Sequence, residues 1–428
     1  MYNNLIGWLR TFGQSVELSF DVASEIVNPK VGYFRVLGNR SFFYLWAATL
    51  VSRTGDNLLS IAMLWFVYAV LTHNPLYAGL IAAAYYLPTF LFAPLFGKIA
   101  DGHNRKNVMI AATLSEMAFA VLLYLAITFN LFVLQVSFIT VFSIASFGLL
   151  VAISRSSSIP LTVPKDELTA ANSLQQATTQ LTRIFGFLAG GILLLVMGIK
   201  GIVLLEIAVF IISAATLRGI NLSDQKRDRK ARSGLDGLRY IKNDRLFLEV
   251  AVFLSVVNFT GAGMIVLPAM MATTVFKSGP GVYASILVFL AAGTVAGNYI
   301  VTRFNAGSRV GKILILSNTV DAFLYILFAY SGNALFAVAI SVVIGFVEGI
   351  SIVPFVTLIQ ARTPNERLGS VLAALSLLLL GSASLSMMAS GFLVSLLGVQ
   401  LVYLLFAILI LIACVGATNM KELRNASY

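Results

Sequence analysis

Twelve stretches of this chain are each long and apolar enough to cross a bilayer, and that constrains its fold more than any other feature. A hydrocarbon core of about 30 Å calls for about 20 apolar residues in a helix. The stretches are 42–70, 77–96, 107–128, 133–153, 172–197, 201–220, 247–272, 282–302, 311–331, 334–360, 369–397 and 399–419. Backbone polar groups in lipid must be satisfied internally, which leaves helices or closed barrels. The short alternating strands of a barrel are missing. Gaps as short as Gly332-Asn333, and the turn near Gly398, make sequence neighbours antiparallel. Composition agrees: 59% of the 428 residues are hydrophobic and only 11% are charged, against about 25% charged in a soluble domain. Three soluble domains, the count that length alone suggests, could not cover their surfaces with so few charges. The expected fold class is an all-α membrane protein with twelve transmembrane helices.

Basic residues orient the spans. With the N-terminus in the cytoplasm, all but four of the 29 Lys and Arg fall on the cytoplasmic side. The exceptions are Lys200 and Lys277 in outer loops and Arg53 and Arg183 inside spans. This positive-inside bias predicts a multi-pass protein of the cell membrane with both termini cytoplasmic. The +11 net charge therefore marks topology, and no nucleic-acid partner is expected. One cysteine, Cys414, and two separated histidines, His73 and His103, argue against a disulfide framework and a metal centre. Neither a G-x-x-x-x-G-K loop nor a G-x-S-x-G elbow occurs, so neither ATP use nor enzymatic chemistry is expected. No cofactor or metal is expected. The expected partners are a small-molecule substrate, protons and membrane lipids, with the chain acting as a monomer.

The most polar stretch, 221–246, splits the spans six and six. The expected organisation is a cytoplasmic segment 1–38, a first bundle 39–220, a cytoplasmic linker 221–246, a second bundle 247–420 and a tail 421–428. Residues 1–38 carry Glu17, Asp21 and Glu25, unlike a signal peptide. Leu5, Leu9, Phe12, Val16, Phe20, Ala23 and Val27 recur at helical spacing, as in an interfacial helix; a partly ordered tail is the alternative. The linker's charges suit a solvated connection, or a basic patch for phospholipid. The two halves echo each other. Tyr77-Ala78 and Tyr283-Ala284 share an offset with Lys106 and Lys312; Pro164 and Pro364, Leu168 and Leu368, and Gly191 and Gly391 share a second. Such repeats are common in transporters, with the substrate at the repeat interface.

Between the second and third spans stands Gly97-Lys-Ile-Ala-Asp101-Gly-His-Asn-Arg105-Lys106. It resembles the cytoplasmic loop signature of the major facilitator superfamily, G-x-x-x-D-x-x-x-R-K/R. Gly97 would allow close helix packing, Asp101 would cap the third span or pair with a basic residue, and Arg105 and Lys106 would sit at the inner face. The cluster reads as a latch between halves, or as a simple positive-inside loop with a cap. Span 5 carries Gly186-Phe187-Leu-Ala-Gly190-Gly191, similar to that family's antiporter motif G-P-x-x-G-G with Phe187 in place of proline. Small residues there also serve ordinary close packing. Ser52-Arg53-Thr54-Gly55-Asp56-Asn57, Ala171-Asn172-Ser173 and Gly237-Leu-Arg-Tyr-Ile resemble the exporter branch that includes macrolide-efflux and enterobactin-export proteins. The resemblance covers about residues 38–418. It implies two pseudo-symmetric six-helix bundles around a central site.

Intramembrane ionisable groups are functional candidates. At about 1.5 Å per residue, Arg53, Asp56, Glu116, Arg183, Asp321 and Glu348 lie roughly 14–21 Å from the inner face. Glu206 lies nearer the outside and Glu249 is interfacial. Thr49, Arg53, Asp56, Asn57 and Ser60 form one polar stripe on span 1. Burial favours the protonated acid and a nearby guanidinium favours the carboxylate. Moving Arg53 or Arg183 relative to Asp56 or Glu116 would therefore load and release a proton. The alternative is a fixed buried ion-pair network. Spans 1, 4, 7 and 10 line the cavity by resemblance. They offer Asn57, Trp65, Phe138, Phe142, Phe147, Asn258, Phe346 and Glu348, with Asp321 a further cavity candidate on span 9. Aromatics with a few polar groups suit amphipathic ligands. The expected function is proton-driven export of a hydrophobic small molecule by alternating access. A lysophospholipid, siderophore or nutrient carrier, or a receptor that lost transport, would use the same fold.

Overall fold

The computed structural model describes residues 33–221, 234–301 and 309–427. Most of the segment 1–38 and the middle of the linker, with the interfacial helix and phospholipid patch expected there, lie outside the described residues. A short helix α1 (Tyr33–Leu37) precedes α2 (Arg40–Trp65), whose start is capped by the Asn39 side chain accepting from the Ser41 amide. α2 continues as a π turn over Phe66–Thr72. Next come α3 (Pro75–Gly102), α4 (Arg105–Phe129) and α5 (Val133–Ser158). The helix Leu168–Leu217 is interrupted at Gly198, with φ 62° and ψ −174°. Only glycine takes that conformation without strain, so the helix divides into α6 (168–197) and α7 (199–217). α8 (Gly234–Asn243) is amphipathic and leads into α9 (Arg245–Met270), which again ends in a π turn, Met271–Val275. α10 (Pro280–Val301), α11 (Val310–Ala329), α12 (Ala334–Arg362), α13 (Asn365–Leu397), α14 (Val399–Asn419) and α15 (Lys421–Arg424) complete the described chain.

Among the described residues, eleven continuous helices are long and apolar enough to cross a membrane. The break at Gly198 splits one of them, giving the twelve spans expected. Their outward faces carry exposed apolar side chains such as Leu204, Ile211, Leu316, Leu335 and Ile412, as a lipid-facing surface requires. The connections fall at two ends: one holds the linker, and the other holds the turns at His73, Gly198, Lys277 and Gly398.

The halves share one packing scheme. In the first, α3 and α4 both pack on α5, and the Leu168–Leu217 helix packs on α2 and α4. In the second, α10 and α11 both pack on α12, α11 packs on α14, and α9 packs on α13 and α14. The two most extensive contacts between the halves are α3 with α13 and α6 with α10. A twofold rotation relating the repeats exchanges them. At the first, a Cβ on Gly79 would lie 2.9 Å from the Gly391 Cα. At the second, Gly191 faces Ala284 so closely that a Cβ would overlap it. Trp65 stacks on Tyr283 with centroids 6.0 Å apart. The Thr273 hydroxyl lies 3.2 Å from the Tyr68 hydroxyl, joining the two π turns. Gly191 and Gly391, one of the repeat pairs legible in the sequence, take equivalent places here, Gly191 against Ala284 and Gly391 against Gly79. All four contacts lie toward the end opposite the linker, and they close that end.

Candidate functional site

Two chambers lie between the bundles at mid-height. One, of about 510 Å³, is lined from the first half by Arg53, Asp56, Asn57, Ser60, Tyr85 and Arg183. The other, of about 420 Å³, is lined from the second half by Asn258, Asn318, Asp321, Tyr325 and Glu348. Tyr86, Arg183, Ile265, Leu287 and Leu380 line both. The Arg183 guanidinium therefore stands where the chambers join, and its charge acts on Glu348 of the opposite half. The remaining walls are mostly aliphatic.

Helix geometry explains this placement. Arg53, Asp56, Asn57 and Ser60 fall on one face of α2 at three- and four-residue steps. That face is held against the cavity because the flank beside it, from Thr54 through Asn57 to Leu58, is fixed by glycine contacts. Gly186 of α6 lets that helix approach α2: a Cβ there would lie 2.6 Å from the Asn57 Cβ and 2.9 Å from the Thr54 carbonyl. Gly190 meets the Leu58 carbonyl, and Gly191 turns to α10 of the other half. The three glycines of the expected antiporter-like motif thus seat one helix against both bundles.

Behind the first chamber is a buried acid cluster. Glu116 is 3% exposed and Glu206 is 1% exposed. Glu116 hydrogen-bonds Thr113 and approaches Gly148, where a Cβ would lie 3.0 Å from Oε1. Asp56, Glu116 and Glu206 act on one another electrostatically. Arg53 acts on Asp56 and Glu116, and so does Arg155, whose Nη1 donates to the Thr49 hydroxyl at 3.3 Å. Yet among the described residues no arginine forms an ion pair with these acids at contact distance. Two contact pairs, Arg35–Glu167 at 2.9 Å and Arg245–Glu249 at 3.2 Å, lie outside the cluster. Asp56 Oδ1, Asp321 Oδ1 and both Glu206 carboxyl oxygens have no hydrogen-bond partner.

Several expectations are corrected. Arg155, read from the sequence as a cytoplasmic-loop residue, belongs to α5 and reaches the cluster because α5 runs on to Ser158. Glu206, expected nearer the outside, turns onto Gly55 of α2 and so lies level with Asp56. Trp65, Phe138, Phe142, Phe147 and Phe346 do not line either chamber. Trp65 stacks on Tyr283, Phe138 packs on Tyr77, Phe142 on Phe92 and Phe147 on Phe119. The backbone of Phe346 abuts Gly293 and Gly297 of α10. Aromatics fill helix contacts more readily than they face a cavity, and periodicity does not separate the two. Gly97 has open space around it, so it mediates no close packing in this conformation. Asn104 caps α4, its side chain accepting from the Asn107 amide at 3.2 Å, and the Asp101 side chain lies outside the described residues. Asp101 stands next to last in α3 and Arg105 opens α4. Lys106 Nζ donates to the carbonyls of Arg218 at 2.6 Å and Ile220 at 2.8 Å, tying α4 to the end of α7 within one half. Asn258 Nδ2 donates to the Leu379 carbonyl at 2.6 Å and to the Ser382 hydroxyl at 3.0 Å, so it also pins α9 to α13.

The sequence profile of the Major Facilitator Superfamily matches residues 45–384. YkuC, an MFS-type transporter of Bacillus subtilis, is 24% identical over a stretch covering 62% of this chain and 65%, just under two thirds, of that protein. Macrolide efflux protein A of Streptococcus pyogenes is 22% identical over 90% of this chain and 96% of that one. A crystal structure of a bacterial homologue of the human lysosomal transporter Spinster, in an inward-facing and unoccupied conformation, shares the fold. Its TM-score is 0.73, at 13% identity, over 90% of this chain and 98% of that one.

Proposed function

The chain belongs to the major facilitator superfamily, a family of membrane transporters and not of enzymes, and on that premise we propose that it is a proton-coupled exporter of amphipathic, hydrophobic small molecules working by alternating access. The carrying observation is the pair of joined chambers: acids without contact ion pairs flank a cavity shared by both halves, with Arg183 at the junction. Apolar walls with a few convergent polar groups suit a hydrophobic ligand. Glu348 and Asp321, with no lysine or arginine of their own half in the wall, suit one with a positive charge. Similarity to macrolide efflux protein A supports the outward direction.

In this reading the linker end faces the cytoplasm, following the basic residues, and the closed opposite end makes this the inward-facing state. Asp56 and Glu116 take up or give up the coupling proton. Arg53 and Arg183 bias that exchange by approaching or leaving them as the bundles rock. Cell-membrane location, cytoplasmic termini and a monomeric unit complete the proposal. The test is accumulation of a fluorescent hydrophobic cation by inverted vesicles with and without an imposed pH gradient. Accumulation that an uncoupler abolishes, and that Asp56→Asn and Glu116→Gln each lose, is expected. Full gradient-driven transport by both folded variants overturns the assignment.

A further inference from the structure

Glu206 is a buried acid that the proposed cycle does not use. It lies on α7, whose lipid-facing side carries Leu204, Leu205 and Ile211, so its own side chain turns into the bundle. There it fills the notch left by Gly55: a Cβ at that position would strike Oε2 and lie 3.0 Å from Cδ. Gly55 points away from the cavity, while its neighbour Asp56 lines it. Glu206 therefore stands behind Asp56, screened from anything bound in the chamber. The titratable groups that interact with it are Asp56 of α2, Tyr85 of α3 and Glu116 of α4; Arg53 of α2 and Arg155 of α5 act on Asp56 and Glu116. Neither of its carboxyl oxygens has a hydrogen-bond partner.

A buried carboxylate with no hydrogen-bond partner is the costliest form of this side chain, and such groups neutralise by holding a proton. We propose that Glu206 is a third proton-binding group, exchanging its proton with Asp56 outside the substrate's path. In the exchange the O–H bond at Glu206 breaks and one forms at Asp56, and a single negative charge moves from α2 to α7. No further reactant is needed. The Gly55 notch fits this role because it brings the carboxyl against the backbone that carries Asp56. A bound substrate cation facing Asp56 would favour its carboxylate and leave the proton on Glu206; departure of the cation would let the proton return.

This inference rests on the proton-coupled reading, so its test has a readout that does not need transport. Infrared difference spectra between acid and alkaline pH are recorded on the full chain in lipid nanodiscs. The wild type is expected to show a protonated-carboxyl C=O band that Glu206→Gln removes and Glu206→Asp shifts. In proteoliposomes, Glu206→Gln is expected to keep downhill substrate exchange while losing gradient-driven accumulation, with Glu206→Asp restoring part of it. Identical wild-type and Glu206→Gln spectra overturn the proposal, as does full accumulation by Glu206→Gln, whose amide mimics a permanently protonated acid. If the wild type shows no gradient-driven transport, the coupling reading falls, and the infrared band alone decides whether Glu206 holds the proton.

Discussion

Adding one methyl group on each side of the α3–α13 contact is expected to turn the protein toward its other conformation. In the Gly79→Ala, Gly391→Ala double variant, the new Cβ at Gly79 would lie 2.9 Å from the Gly391 Cα and press on the Met387 carbonyl. The new Cβ at Gly391 would lie 2.9 Å from the Gly79 Cα and press on the Pro75 carbonyl. Carbon atoms prefer about 3.5–4.0 Å, so the helices must part by about 1 Å or more. Such overpacking costs about 1–3 kcal/mol. In the alternating-access reading this contact parts when the end opposite the linker opens, so the cost falls on the state in which that end is closed. A difference of that size shifts a two-state ratio by about 5- to 150-fold. The assay is electron–electron distance measurement between spin labels at Gly102→Cys and Gln360→Cys, at the linker end of opposite halves, in a Cys414→Ala background. Gly102 has no neighbour within 4 Å of a Cβ, and the replaced Cys414 is buried. The variant should move weight from longer to shorter distances. An unchanged distribution in well-folded protein would refute the idea that these glycines close one end of the transporter.

Four further outcomes follow from single contacts. Trp65→Ala removes the stack on Tyr283 between the halves, worth about 0.5–1.5 kcal/mol beyond burial, and should shift the same distance distribution. Phe147→Ala removes a stack on Phe119 within one half and should lower thermal stability without that shift. Gly186→Val should cost about 1–3 kcal/mol, because its side chain would enter Asn57 and the Thr54 carbonyl of α2; an unchanged melting temperature in detergent would count against that seating role. Lys106→Met loses the two carbonyl contacts at the end of α7 and should cost about 1 kcal/mol at this partly exposed site, read by thermal unfolding, with Lys106→Arg largely retaining stability.

Much of this protein was legible one residue at a time. The twelve crossings and the six-and-six division follow from hydropathy, because lipid demands long, unbroken apolar helices. The boundary at Gly198 is the exception that proves informative: a glycine in a left-handed conformation reverses a chain that hydrogen-bond continuity alone would describe as one helix. The depth of Asp56, Glu116, Asp321 and Glu348 also follows from counting residues along each span. The polar stripe of α2 was readable for the same reason, since its period is that of one helix.

Neighbours around and between helices were not readable. Sequence placed Arg155 in a loop and Glu206 near a surface, because a span's ends and tilt are set by the helices packed beside it. Aromatic side chains looked like cavity lining until their partners were known. The repeat pair Gly191 and Gly391 was visible as an offset; only the packed bundles set Gly191 on Ala284 and Gly391 on Gly79. Hydropathy and charge act on each segment separately against lipid and water, so the chain alone determines how often it crosses. Which acids meet, which end closes and where the cavity opens depend on contacts between residues a hundred or more positions apart, and those exist only once the helices have packed.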